Sequence, residues 1–162
     1  MEKEVFTTLN SINVNEKTEK KNGLTYLSWA WAWAEFMKVC PDASYQIQMF
    51  EDKDFIKHPY IYDEKTGYMV FTSVTVGKDT KEMWLPVMDA TNHAMKDHPY
   101  KYMARQKNWD TNKWEMVEKT VEPATMFDIN KTIMRCLVKN IAMFGLGLYI
   151  YAGEDLPEEI DG

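Results

Sequence analysis

The sequence predicts an α+β domain in which an antiparallel three-stranded sheet and a hairpin precede a long C-terminal helix, with an N-terminal helix before the sheet. Three observations support this class. Residues 29–39 form a capped helical segment, β-branched and aromatic residues alternate between 45 and 89, and apolar residues recur at helical spacing from 126 to 144. The chain has 162 residues, of which 45% are hydrophobic, enough for the core of one domain.

The first helix contains three tryptophans that alternate with alanine. It follows Ser28, a good N-cap residue, and ends before Pro41. At 100° per residue, Trp29 and Trp33 lie about 40° apart on one face and Trp31 lies on the other side. We therefore expect Trp29 and Trp33 to pack on the sheet. Trp31 is predicted to lie at an oligomer interface, because interfaces are enriched in tryptophan.

The sheet is predicted from three segments with a period of two residues. These are residues 45–49, 68–76 and 82–89, and the turn "GKDTK" joins the last two as a hairpin. Glutamine and threonine alternate with isoleucine, valine and methionine along them. This pattern predicts that a helix covers one face of the sheet and that the other face is more exposed.

A second hairpin is predicted from residues 100–109 and 114–121, which flank the loop "DTNK". Alternate residues of its first strand share one face: Lys101, Met103, Arg105, Lys107 and Trp109. A basic stripe that ends in an aromatic ring suits a surface that follows phosphates and stacks bases. An ordinary solvated hairpin is the alternative, because charged residues on exposed strands also prevent edge pairing.

The long helix is predicted to have an apolar and a basic face. Its apolar face contains residues three or four positions apart: Ile129, Ile133, Leu137, Ile141 and Phe144. Its polar face carries Lys131, Arg135 and Lys139 within an arc of about 80°, with Asp128 as the only acid beside them. Because like charges in such a row repel, we interpret the row as a phosphate-facing ridge. A solvated face is the alternative, and a short apolar strand is expected after the helix.

The distribution of charge suggests three parts: an N-terminal arm (1–22), a domain (23–153) and an acidic tail (154–162). The net charge is −6, but the tail holds five acids and no base, so the remainder carries only −1. The tail is expected to reduce non-specific attraction to DNA, to compete for a cationic groove or to bind a partner.

Catalytic and membrane signatures are missing from the sequence. It has no GxxxxGK[ST] loop, no GxGxxG and no HExxH, so we expect no enzyme, no catalytic residue, no cofactor and no metal. A two-metal nuclease is the enzymatic alternative, although the aspartates show no motif spacing. No apolar run reaches the roughly 20 residues of a membrane span, and a cytoplasmic location is expected. Cys40 and Cys136 are expected to be reduced thiols in the core.

Three stretches resemble the phage Sak-type single-strand annealing proteins. They are "NGLTYLSWAWAWAEFMKVCPDASY", "LPVMDATNHAMK" and "FDINKTIMRCLVKNIAMFGLGLYIYAGEDLP", and the resemblance covers about residues 23–157. That family is similar to phage Red-beta and Erf and to the annealing domain of the eukaryotic Rad-group mediator. These are ATP-independent annealing proteins built on a β-β-β-α core that assembles into rings or filaments.

The resemblance implies ATP-independent binding of single-stranded DNA and annealing of complementary strands during phage homologous recombination in a bacterial host. It implies DNA-binding cations on the long helix, which here are Lys131, Arg135 and Lys139. The resemblance also implies DNA-binding cations on the hairpin, and its place in the order of elements is the only basis for assigning this role to Lys101, Arg105 and Lys107, beside Trp109. Implied partners are single-stranded DNA, the annealed duplex intermediate, further copies of the chain, and a phage exonuclease or single-strand binding protein. A binding module that does not anneal is the alternative.

Overall fold

The α+β class is confirmed by a computed structural model that describes residues 3–154. The helices of this part of the chain are α1 (Lys3–Asn10), α2 (Trp29–Val39) and α3 (Met126–Ala142), with 3-10 turns at Asn15–Lys17 and Leu148–Tyr151. The strands are β1 (Thr18–Lys21), β2 (Leu24–Leu27), β3 (Ser44–Ile47), β4 (Phe50–Glu51), β5 (Lys57–His58), β6 (Ile61–Asp63), β7 (Gly67–Val76), β8 (Asp79–Pro86), β9 (Tyr100–Asn108) and β10 (Lys113–Val121).

The main sheet has four antiparallel strands rather than the three that the sequence predicts. β7 lies at its centre, β8 pairs along one side, and β3 and β6 pair with successive parts of the other side. The additional strand β6 arises from a tight turn after Asp63, whose carboxylate accepts the backbone N–H groups of Lys65 and Thr66. Such side-chain bonds favour turns, so this segment folds back onto β7.

The long helix α3 covers one face of the main sheet and contacts both β7 and β8. Its N-terminus is closed by a capping box, in which Thr125 and Asp128 accept each other's backbone N–H groups. Val70 and Val74 of β7 are fully buried and belong to two core clusters that share the apolar face of α3. The basic face of α3 is thereby directed away from the sheet.

Of the tryptophans of α2, Trp29 lies differently from the prediction, whereas Trp33 packs on the sheet as predicted, its ring meeting Tyr45 of β3 edge-on. Ser28 caps the helix as expected, its hydroxyl accepting the Trp31 N–H at 3.5 Å. Trp29 is 48% exposed, whereas Trp31 and Trp33 are both half-buried against the core cluster. The physical reason is that α2 contacts both α1 and α3, which cover part of its surface. Trp29 is the first residue of the helix and lies outside this cover.

Residues 3–22 do not form a free arm. The side chains of Leu9 and Val14 are completely buried in the core cluster that contains α2 and α3. Gly145 adopts φ +122°, and a Cβ on it would lie 2.6 Å from the carbonyl oxygen of Phe6. Only a glycine permits this approach of α1, so the N-terminal segment belongs to the domain.

The segment after α3 differs from the predicted apolar strand. Gly147 has φ +70° and precedes a 3-10 turn, Leu148–Tyr151. This turn brings Glu154, predicted as the first acid of the tail, back against α3. The other tail acids lie outside the described residues.

The remaining expectations concern the cysteines and membrane spans. Cys40 and Cys136 are free and buried, as expected. Burial raises the pKa of both thiols, which keeps them protonated. No helix within residues 3–154 is long and apolar enough to cross a membrane.

Candidate nucleic-acid interface

A groove runs between the basic face of α3 and the β1–β2 hairpin, and we call it the α3 groove. Its volume is about 430 Å³. Val138 and Leu27, both nearly fully buried, form part of an apolar floor, and the exposed side chains of Trp29, Phe127 and Lys131 stand at its rim. Lys17, Tyr26 and Arg135 complete the lining that bears on function. The groove therefore combines cations with aromatic rings.

A second cavity of about 290 Å³ continues from the α3 groove. Both cavities are lined by Tyr26, Lys131 and Arg135, so they lie on either side of the same three side chains. Lys21 and Asn22 of the β1–β2 hairpin contribute to the second cavity. Together the two cavities make a cleft lined by four cations, Lys17, Lys21, Lys131 and Arg135, and by two acids, Glu19 and Asp89, of which Glu19 pairs with Lys21 at 3.6 Å.

The exposed rings beside Lys131 are placed for contact with a ligand. The Phe127 side chain is 74% exposed, and the Lys131 ammonium lies 5.8 Å from its ring centroid. Trp29 lies on the same groove. Exposed rings next to cations can stack bases while the cations contact phosphates. Lys131 makes no ion pair with any carboxylate among residues 3–154, so its charge is free for a ligand.

Arg135 and Lys139 are not the exposed cations that the sequence predicts. Their side chains are 11% and 16% exposed, and both face the Glu154 carboxylate, at 3.9 Å and 3.6 Å from its Oε2. The Arg135 guanidinium also lies 5.1 Å from the Tyr26 ring, and the Lys139 ammonium lies 5.3 Å from the Tyr151 ring. Spacing along a helix indicates a shared face but does not reveal a distant carboxylate. Of the predicted row, Lys131 alone is exposed.

The β9–β10 hairpin presents the predicted basic face. Its register places Lys101, Met103, Arg105 and Lys107 opposite Thr120, Glu118, Met116 and Trp114. Lys101 pairs with Glu118 at 3.0 Å, the Arg105 guanidinium lies 5.0 Å from the Trp114 ring, and the Lys107 ammonium lies 4.6 Å from the Trp109 ring. Trp109, in the turn, is 80% exposed. The stripe is thus a cation–aromatic surface, although Lys101 is partly neutralised.

The structure does not join the two predicted DNA-binding rows in one site. Neither cavity that contains Lys131 and Arg135 includes a residue of β9 or β10. The base of the hairpin packs on the loop at residues 88–98 instead, where the Tyr102 ring stacks on His93 at 3.9 Å. The α3 groove and the hairpin are therefore two separate surfaces of the described chain.

The residues of the cleft that sequence reasoning missed include Lys17, Lys21, Tyr26, Trp29 and Phe127. A signal for some of them was present. The dipeptide Asn22-Gly23 between "TEKK" and "LTYL" is a strong hairpin signal, and both residues adopt positive φ, +50° and +77°. Recognising that hairpin would have predicted a basic strand beside the aromatic helix. The exposure of Phe127 has no comparable sequence signal.

The chemistry available in this site is that of binding. No group of three or more histidine, cysteine, aspartate or glutamate side chains within residues 3–154 is arranged to hold a metal ion. Burial raises the pKa of Tyr151, beside Arg135, so its phenol stays neutral and leaves the local positive charge unchanged. The cations and rings can contact an anionic, aromatic ligand.

The fold and the cleft define an α+β protein with a groove lined by cations and aromatic rings. The family model described as Sak Single Strand Annealing Protein matches residues 3–161, and the chain belongs to that family. No curated protein and no solved structure matches the chain. The resemblance inferred from the sequence motifs is thus confirmed, and family membership supports binding and annealing of single-stranded DNA as the general function.

Proposed function

We propose that this protein binds single-stranded DNA in the α3 groove and anneals complementary strands without ATP. The observation that carries the proposal is the exposed Lys131, which pairs with no carboxylate of residues 3–154 and lines a groove together with the exposed rings of Trp29 and Phe127. Cations that contact the sugar-phosphate backbone lower the repulsion between two strands, and rings hold bases by stacking. Family membership agrees with this function.

The energy for annealing comes from base pairing in this mechanism. Stacking contributes about 1.4 kcal/mol per base-pair step in duplex DNA, so a protein that only positions strands requires no nucleotide hydrolysis. Each protomer holds a short stretch of one strand, and a ring or filament of protomers holds a longer stretch open to a second strand. The proposal therefore includes a homo-oligomer whose product is the annealed duplex intermediate.

The biological setting forms part of the same proposal. A protein of this kind acts in phage homologous recombination, in the cytoplasm of a bacterial host. Its single strands come from an exonuclease and are covered by a single-strand binding protein, which makes both of these candidate partners. The proposal assigns no catalytic step to the protein.

The test compares Lys131→Ala with Lys65→Ala, which removes the same charge from an exposed turn far along the chain. If Lys131 contacts a phosphate, its loss reduces the slope of log K against log salt for oligo(dT) by about 0.7. The rate of annealing of two complementary oligonucleotides falls with it, while Lys65→Ala behaves as wild type.

The outcomes are distinct. Equal slopes for the two variants would contradict the groove as the binding site. Binding by wild type without faster annealing would identify a single-strand binding module. Cleavage of the oligonucleotides with Mg²⁺ in a clean preparation would identify a nuclease.

A further inference from the structure

Glu154 lies in a buried position that is built mainly from donors. Its side chain is 6% exposed. One carboxylate oxygen, Oε1, accepts the backbone N–H of Thr25 at 2.8 Å, and the other, Oε2, faces Lys139 at 3.6 Å and Arg135 at 3.9 Å. We call the set formed by the Arg135 guanidinium, the Lys139 ammonium and the Thr25 N–H the Glu154 seat.

The fit of the carboxylate to this seat is incomplete. Glu154 Oε2 and Arg135 Nε are buried and have no hydrogen-bond partner. Two cations face one carboxylate, which leaves an excess of one positive charge. Buried polar atoms are normally hydrogen-bonded, so these two unsatisfied atoms of opposite charge show that Glu154 does not satisfy all the donors around it.

The donor set matches a phosphate group. Arginine, lysine and backbone N–H groups are the donors that contact phosphate oxygens in nucleic-acid complexes. A phosphodiester carries one negative charge shared by two oxygens, like a carboxylate, and has two further ester oxygens that can accept hydrogen bonds. A phosphodiester would therefore bring the same charge as the Glu154 carboxylate and more acceptor atoms.

The seat lies on regular secondary structure, whereas its occupant follows a short exposed segment. Arg135 and Lys139 belong to α3, and Thr25 lies on β2 and is 8% exposed. Glu154 follows two exposed residues, Ala152 and Gly153, and Gly153 has φ +89°. The carboxylate can leave by rotation of this short exposed segment, because no core residue lies between it and Tyr151.

The seat also adjoins the proposed DNA path. Arg135 lines the α3 groove, and Thr25 and Glu154 line a neighbouring cavity of about 450 Å³ together with Lys20. A strand that follows α3 past Lys131 and Arg135 brings its phosphates to the edge of the seat.

We propose that the Glu154 seat is a phosphodiester-binding site that Glu154 occupies in the free protein and that a backbone phosphate of the bound strand takes over. This inference rests on the proposed binding of single-stranded DNA in the α3 groove. Residues 152–154 are then released when DNA binds, and Arg135 and Lys139 become DNA contacts only after that exchange.

The first experiment removes the competing charge. Glu154→Gln is compared with Glu64→Gln, which makes the same change of net charge at an exposed turn. We expect Glu154→Gln to bind fluorescent oligo(dT) at least about fivefold more tightly than Glu64→Gln at low salt, the lower end of usual coupling between sites. Affinity equal to that of Glu64→Gln, or weaker, would overturn the proposal.

The second experiment detects the release directly and does not depend on the folding of the Glu154 variant. A nitroxide is attached to Ala152→Cys, and a control nitroxide to Glu64→Cys, since the two native cysteines are buried. Saturating oligo(dT) is expected to increase the mobility of the label at 152 in its electron paramagnetic resonance spectrum and to leave the label at 64 unchanged.

Two control arms separate the possible failures. Oligo(dT) bound in full with an unchanged spectrum at 152 would overturn this inference alone, whereas absence of oligo(dT) binding to wild type would overturn the proposed function as well. Inorganic phosphate at the same phosphate concentration is the other arm. Release by inorganic phosphate but not by bound oligo(dT) would contradict a phosphodiester as the ligand.

Discussion

At the scale of single residues, Asn140 connects α3 to the sheet inside the core. It is completely buried, its Nδ2 donates to the carbonyl oxygen of Lys81 at 3.0 Å, and its Oδ1 accepts the Thr72 hydroxyl at 3.0 Å. Thr72 is itself 2% exposed and lies 3.3 Å from the Cys136 sulfur. A buried polar pair of this kind fixes how far α3 can slide along β7, because any other register leaves its groups unsatisfied.

We predict that Asn140→Ala lowers the free energy of unfolding by about 1–3 kcal/mol, because it leaves the Lys81 carbonyl and the Thr72 hydroxyl without their partner. The matched control is Asn130→Ala on the exposed side of the same helix. Urea unfolding, monitored by circular dichroism, measures the free energy of unfolding of both variants. The same midpoint for the two variants would mean that water replaces the lost amide at no cost.

At the scale of elements, the β9–β10 hairpin has two distinguishable faces beyond its base. Arg105 and Gln106 point to opposite faces of the hairpin, and both are exposed. Their partners on the other strand, Met116 and Glu115, also lie on opposite faces and are also exposed. The outer part of the hairpin therefore extends from the core with neither face covered. One face carries the cation–aromatic surface that ends in Trp109, and the other face carries Lys113 and Lys119.

These faces provide an internal control for the predicted DNA contacts of the hairpin. If the stripe follows phosphates, Lys107→Ala reduces the salt slope of oligo(dT) binding by about 0.7, whereas Lys113→Ala on the other face leaves it unchanged. Salt titrations of both variants are the measurement. An equal effect of both changes would mean that the hairpin attracts DNA only through its net charge, and an effect of neither would restrict the site to the α3 groove.

At the scale of the whole molecule, α1 joins α2 and α3 in one core cluster. Leu9 is completely buried there, and Trp31 and Trp33 are half-buried against the same cluster. The half of Trp31 that remains exposed is available to a neighbouring copy, so its place at an oligomer interface stays a prediction. The core on which it packs also gives it a structural role in the monomer.

We expect Trp31→Ala to form smaller assemblies in sedimentation velocity, because interfaces concentrate binding energy in tryptophan. Trp33→Ala is the matched control, since Trp33 packs on the same cluster and its ring meets Tyr45 edge-on at 5.1 Å. The control is expected to lower stability without a change in assembly size. Assemblies of wild-type size with Trp31→Ala would mean that Trp31 contributes only to the core of the monomer.

Local patterns in the sequence determined most of the elements. The Ser28 cap and the stop at Pro41 predicted α2, the apolar period predicted α3, and alternation predicted β7 and the β9–β10 hairpin. These predictions hold because caps, periods and turns act between residues a few positions apart. The family was also evident from the sequence, since its motifs are long and contiguous.

Only the tertiary structure decided which side chains are free to act. The spacing of Arg135 and Lys139 predicted a shared face, but their burial depends on Glu154, which a 3-10 turn brings back to α3. The exposure of Trp29 and the partial burial of Trp31 likewise depend on tertiary packing, since Trp31 packs against a core cluster that contains residues of α1 and α3. The helical period determines the direction in which a side chain points, whereas its exposure and its free charge depend on what packs against it.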